Sequence, residues 1–288
     1  MLIHLSATRM NPLNVVFWNA VCANCIFVVA VCIERPRTTG SIKEILILIS
    51  SGFFGGCGSI TFSIAVMITR EPGDAVALYF TLPISVIILE VFFHQGKVKM
   101  AYVIFAFLSF AGVIFVVKPS FLFHNRTNDN ATNTLGAVLS LSSSFLMVAQ
   151  FIAVSKLKIF ATNFSLVVFL TNSFVLSISF MLCVYLRVFK VPDSVEKVMF
   201  ILFTGCLYVS LYSLVYLAVT NERPVVVSVI MTSEVAFTFI AQSVALSLTT
   251  TWNSVVGGIL ISLSCLGVSL AKQADEENPE NEDLLQEN

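Results

Sequence analysis

The sequence predicts an all-α polytopic membrane protein, an inverted-repeat helix bundle of about nine transmembrane helices, and three observations carry that prediction. The chain is 57% hydrophobic and only 11% charged over 288 residues, with a mean hydropathy of +0.91, outside the range of soluble globular domains. Nine apolar runs each reach the roughly 20 residues that a bilayer crossing requires. Two stretches about 150 residues apart repeat one another.

The runs are 13-33, 45-69, 74-94, 100-118, 135-155, 164-186, 198-219, 225-247 and 252-271. What remains is too short for a folded soluble domain, the longest interior connection being 119-134. Residues 275-288 hold seven acids and no base, so the body of the chain keeps 16 basic against 10 acidic residues. A positive body suits anionic solutes, and it equally suits basic loops anchored at lipid headgroups.

The first run is preceded by Arg9 alone and followed by Arg35, Arg37 and Lys43, so it should run from the outer or lumenal face to the cytosol. Threading onward puts Lys97, Lys99, Lys156, Lys158, Arg223 and Lys272 on the cytosolic side as well. The loop 119-134 then lies outside, where Asn125 and Asn130 each open a glycosylation sequon. A third sequon at Asn163 falls on the cytosolic side and should stay unused.

The second run contains Ser51-Gly-Phe-Phe-Gly-Gly-Cys-Gly-Ser59, whose small residues let helix backbones approach closely. Ser142-Ser-Ser144 and Gly257-Gly258 read the same way. Seven cysteines all lie within apolar runs and imply no disulfide framework; Cys22 and Cys25 have a metal-like spacing, yet read as small fillers. No metal and no cofactor are expected.

In the third run Pro83 sits near the middle and frees the carbonyl of Tyr79 four residues earlier, as broken spans of secondary transporters do near their sites. The seventh run places Tyr208, Tyr212 and Tyr216 along one helix face, bordering a polar cavity or serving as core packing. The eighth run opens at Pro224 and carries Glu234 near mid-depth. A bare carboxylate in hydrocarbon costs at least about 2.5 to 3.5 kcal/mol, so it faces a bundle interior or a wet cavity. That makes Glu234 the leading site candidate, the alternative being a protonated carboxyl that bonds a neighbouring helix.

The repeat aligns Thr69, Glu71, Val76 and Thr81 with Thr220, Glu222, Val227 and Thr232 at an offset of 151, so Pro83 corresponds to Glu234. Further on, Ile104, Leu108, Ser109, Gly112 and Val113 align with Ile259, Leu263, Ser264, Gly267 and Val268 at 155. The matched spans are an odd number apart, so the halves should sit in opposite orientations. That is a transporter architecture with its site between the halves.

Asp74-Ala-Val-Ala-Leu-Tyr-Phe-Thr-Leu-Pro83, Gly112-Val-Ile-Phe-Val-Val-Lys-Pro-Ser-Phe-Leu-Phe123, Ile230-Met-Thr-Ser-Glu-Val-Ala-Phe-Thr-Phe-Ile-Ala-Gln242, Thr251-Trp252 and Gly257-Gly258 occur in that order. With the duplication, they resemble the drug/metabolite transporter superfamily, in its EamA-like branch, and within it solute carrier family 35, group G. The resemblance implies a ten-helix fold of two five-helix halves around a central solute cavity. Here the first family helix is lacking. The implied organisation is 1-118 as a first EamA-like repeat of four spans, 119-134 as an outer loop, 135-272 as a second repeat of five spans, and 273-288 as an acidic, disordered cytosolic tail. Asn19 and Ser51 stand where similar proteins often carry arginine, Met231 where they carry lysine, and Gly96 where they carry an acid. These departures weaken an anion site, while Glu234 keeps the acidic position.

The expected activity is secondary transport of a small organic metabolite by alternating access. Glu234 would couple protons or contact the solute, in a cavity lined by Asn19, Tyr79, Thr81, Pro83, Tyr212 and Thr232. The alternative is a truncated, non-transporting membrane protein that pairs with and regulates a full-length relative. An enzyme is not expected, because His4, His94 and His124 are scattered and no hydrolase or protease motif is present. Expected partners are the solute and the bilayer, with homo- or hetero-dimers open and no nucleic acid. In the tail, Glu280, Leu284 and Leu285 form an acidic dileucine pattern that a cytosolic adaptor would read. Localisation is to a secretory-pathway, endolysosomal or plasma membrane.

Overall fold

The structure is a computed structural model, and it describes residues 11-35, 40-69, 72-94, 99-117, 130-160, 162-237, 240 and 252-277. Ten α-helices follow one another in these segments: α1 (Pro12–Glu34), α2 (Ile42–Ile68), α3 (Pro72–Tyr79), α4 (Leu82–His94), α5 (Met100–Val117), α6 (Asn130–Leu157), α7 (Phe164–Tyr185), α8 (Val195–Asn221), α9 (Pro224–Met231) and α10 (Trp252–Glu277). A 3₁₀ turn at Lys158–Phe160 leaves α6. Among the described residues, seven stretches are long and apolar enough to cross a membrane, and the chain is an integral, multi-pass, all-α membrane protein.

Local chemistry sets the ends. Asn11 accepts a hydrogen bond from the Leu13 amide at 3.0 Å ahead of Pro12 at the first helical position, a side-chain cap where the helix leaves donors free. Arg35 then ends α1 in the left-handed region at φ 44°. Ser194 caps α8 through the Lys197 amide. Beside it, the hydrogen bond from Lys197 holds the Asp193 carboxyl below its ordinary range.

Two of the nine expected spans are not single helices. The run 74-94 breaks at Phe80 and Thr81, between α3 and α4, and the run 225-247 breaks at Thr232, after which the helix resumes over 233-237. Pro83 explains part of the first break, since it brings no N–H to the ladder. The second break has no proline, and both share a different device. Thr81 Oγ1 donates to the Leu78 carbonyl at 2.8 Å, and Thr232 Oγ1 donates to the Val229 carbonyl at 2.6 Å. In the backbone, the Thr81 and Thr232 amides reach the carbonyls three residues back. Those of Ile84 and Val235 in turn reach the carbonyls of Thr81 and Thr232. Every one of these pairs is related by the 151-residue offset. A hydroxyl bonding the preceding turn competes with the α-helical ladder and tightens it locally to 3₁₀ geometry.

Two boundaries also move. α6 begins at Asn130, so 130-134 are helical rather than part of a loop. α10 runs on to Glu277, three residues into the acidic stretch, because Ala271 to Glu277 holds helix-forming residues with no glycine or proline.

The helices pack through small residues. α2 lies against α6 and α7, α1 against α7 and α8, and α5 against α10. A Cβ on Gly56 would stand 2.8 Å from the Phe174 side chain and 3.3 Å from its backbone, and one on Gly112 would stand 2.8 Å from the Gly257 carbonyl. Lipid tails leave no hydrophobic drive between helices, so such van der Waals approach is what holds them. Gly112 faces Gly257, while its repeat-mate Gly267 faces Phe105, so α5 and α10 cross in antiparallel fashion with matched contacts.

The neighbouring glycines of α10 give a paired test. A Cβ on Gly257 would stand 2.6 Å from the Gly112 carbonyl, whereas one on Gly258 meets nothing within 4 Å. Gly257→Ala should lower stability by about 1 to 3 kcal/mol through overpacking, and Gly258→Ala should be neutral or stabilising by up to about 1 kcal/mol through helix propensity. Melting of the purified protein in detergent reads both.

Candidate functional site

The broken helices bring side chains from both halves together at mid-bundle. On α3, the Tyr79 ring lies against Phe62 of α2, with centroids 4.3 Å apart, and touches both major apolar clusters of the bundle. On α8, the rings of Tyr208 and Tyr212 lie 4.3 Å apart, tilted by 40°. Ser59 of α2 and the Tyr212 hydroxyl share a hydrogen bond of 3.0 Å, tying the two aromatic pairs to one another. Glu234 follows the break at Thr232, within electrostatic reach of the Tyr79 and Tyr212 hydroxyls. Its neighbour Val235 packs in the same cluster as Tyr79 and Phe80. Glu234 is exposed on the short helical turn that follows the break.

A second polar centre lies one helical turn along α8. Gln150 Nε2 of α6 donates to the Tyr216 hydroxyl, which donates to Thr171 Oγ1 of α7 at 2.8 Å. Thr171 Oγ1 in turn donates to the Val167 carbonyl at 3.0 Å. The relay joins three helices and ends on backbone, so no buried donor in it is left open. Tyr216 also lines a cavity of about 330 Å³ together with Lys158, Thr162, Thr220 and Asn221. That cavity opens at the end of the bundle which the threading assigns to the cytosol.

The expected site residues therefore divide. Tyr79, Tyr212 and Glu234 come together. Thr81 and Thr232 spend their hydroxyls on the backbone at the breaks, with Thr81 Oγ1 also 3.4 Å from Ser144 Oγ, and Pro83 is buried at the start of α4. Asn19 stands apart: it accepts from Thr204 Oγ1 at 3.0 Å, eight residues before Tyr212 and so about 12 Å away along α8. Asn130 is the first residue of α6. Asn125, Glu280, Leu284 and Leu285 lie outside the described residues.

Ser59, Phe62, Gln150 and Thr171 were not singled out in the sequence. Gln150 alone carried a usable signal, as an amide inside an otherwise apolar run. The others are ordinary residue types whose role comes from what faces them.

The apolar helices, two of them broken at matched threonines, define an integral, multi-pass, all-α membrane protein. Residues 1–118 match the EamA-like transporter family. Solute carrier family 35 member G1 of Mus musculus is 22% identical over 243 residues, which cover 82% of this chain and 66% of the relative. The chain thus spans about two thirds of the length of the curated relative it matches. A crystal structure described only as that of a protein shares the fold with a TM-score of 0.74 over 92% of this chain and 91% of that chain, at 13% identity. By these matches the chain is an integral, multi-pass membrane protein that is similar over its first 118 residues to the EamA-like transporter family and over most of its length to a member of solute carrier family 35.

The relay makes a stability prediction. Tyr216→Phe removes the hydroxyl on which Gln150 and Thr171 both depend, and should cost about 0.6 to 1.7 kcal/mol, the range of interhelical hydrogen bonds in membranes. In a double-mutant cycle with Thr171→Val, read by denaturant unfolding in mixed micelles, the combined loss should fall short of the sum of the single losses.

Proposed function

We propose that this protein carries a small organic solute across the membrane by alternating access between two inverted halves, with Glu234 as the acid that contacts the solute or couples its movement to protons. The observation that carries the reading is the pair of helix breaks. Thr81 and Thr232 occupy matched positions and bond the preceding turn in the same way, and Tyr79 and Glu234 flank the two breaks. Helices interrupted at matched positions of two halves are where secondary carriers place their sites. Similarity to an EamA-like transporter model and to a solute carrier supports the same class.

The test begins with melting of the purified protein against a panel of metabolites, since a ligand that binds the native state raises apparent stability. A stabilising solute is then followed in proteoliposomes across a pH series. Among the groups that act electrostatically on Glu234 are the hydroxyls of Tyr79 and Tyr212, from α3 and α8, and the amino terminus. Wild-type flux should vary with pH, and Glu234→Gln should lose that variation. Flux that keeps its pH profile in the variant sinks the coupling role.

A second reading is a non-transporting membrane protein that pairs with a longer relative, and one feature of α8 favours it. Its repeat counterpart α2 also exposes Leu46, Ile49 and Phe53, but α6 packs along its length, whereas α8 meets α6 far less and exposes Leu202, Phe203, Leu207, Leu211 and Leu214. On this reading the protein co-purifies from membranes with a ten-helix relative, and Leu207→Trp together with Leu211→Trp abolishes the pairing. Recovery of an active carrier without any such relative rules it out.

A further inference from the structure

We propose a second ligand site, at the end of the bundle that the threading assigns to the cytosol: the cavity beside Tyr216 takes a small amphiphilic anion, an anionic head on a short apolar body, with the Lys158 ammonium as counter-charge. The cavity measures about 330 Å³, within the range of small-molecule sites. Its lining residues fall between Val154 and Asn221, all in the second half of the chain, and include none of Tyr79, Tyr212 and Glu234. The site is therefore separate from the centre described above and does not rest on the carrier reading.

Its donors decide the charge of the ligand. Thr162 Oγ1 donates to Glu44 Oε1 at 2.8 Å, Thr220 Oγ1 to the Leu217 carbonyl at 3.0 Å, and the Tyr216 hydroxyl to Thr171 Oγ1 at 2.8 Å. A hydroxyl has one proton, so none of the three has a donor left. Asn221 gives one amide N–H to the Leu217 carbonyl and keeps the other. Lys158 makes no hydrogen bond or ion pair among the described residues, so its ammonium is uncommitted. Among those residues no acid lines the cavity, and Glu44, to which Thr162 donates, is fully buried. An incoming anion meets an ammonium and an amide N–H; an incoming cation meets like charge. The rest of the wall is Val154, Leu157, Phe164 and Val167, which offer a polar body nothing and would leave its groups unpaired. Lys158 is itself exposed, so the charged head stays at the mouth while the apolar part enters.

The experiment uses the full chain in phosphatidylcholine nanodiscs and three water-soluble probes with one phenylpropyl body: 3-phenylpropanoate, 3-phenylpropan-1-ol and 3-phenylpropylammonium. Because Lys158 is solvated, calorimetric titration should show the carboxylate binding about fivefold tighter than the alcohol, the upper end for an exposed ion pair, with the ammonium weakest. Lys158→Gln should bring carboxylate and alcohol to within about twofold of one another. Thr220→Phe, which fills the cavity and removes only a bond within its own helix, should weaken both by about tenfold. Melting without ligand shows which variants fold, and either variant alone suffices. The proposal is overturned if the alcohol or the ammonium binds as tightly as the carboxylate, if the carboxylate does not bind, or if a folded variant keeps the wild-type affinity for it within about twofold. Dioctanoyl phosphatidate added to the discs separates the two sources of such a head. Displacement of the carboxylate assigns the site to an anionic lipid, and binding that persists assigns it to a free acid; in both cases an anion sits at Lys158.

Discussion

Hydrocarbon offers no partner to a free peptide group, and this constraint organises the molecule. A backbone crossing lipid must be helical throughout, or must find substitutes wherever the ladder opens. Here it opens between α3 and α4 and again after α9. In both places a threonine hydroxyl occupies a carbonyl of the preceding turn, and 3₁₀ hydrogen bonds carry the chain across the gap. The breaks are therefore satisfied rather than strained. Tyr79 closes the half-helix before the first break, and Glu234 lies two residues past the second.

The remaining helices hold together by close approach. α2 presents Gly52, Gly55 and Gly56 to Phe174 and Gln150, so the α6 and α7 backbones sit near enough for Gln150, Thr171 and Tyr216 to join. A larger residue at Gly55 would displace the Gln150 amide, and with it the donor that starts the relay. Packing and hydrogen bonding are thus one arrangement seen at two scales. The same holds between α5 and α10, where matched glycines bring together the ends of the two halves.

Much of this was legible beforehand. The apolar spans and their order follow from apolar run length, and the choice of Glu234 as a candidate from the cost of a carboxylate in lipid, both local properties. The breaks were half legible: Pro83 announces one, but the other lies at Thr232, and threonine is common in unbroken membrane helices. Only the repeat alignment hinted that Thr81 and Thr232 share a role. The extents of α6 and α10 were misjudged because apolarity marks where lipid ends, and helices continue past that point when their residues favour it.

What the sequence by itself determined is the class of molecule: an apolar, all-helical, multi-pass membrane bundle. That follows because membrane insertion is governed by composition within each segment. Only the tertiary structure decided which side chains meet. It set Asn19 apart with Thr204 on α8, and it paired Phe62 with Tyr79. It also gave Tyr212 and Tyr216 of the stripe hydrogen bonds to Ser59 and Thr171, so that they bond as well as pack. Those contacts depend on helix rotation and crossing, which are set by small residues on neighbouring helices rather than by the pattern along any one of them.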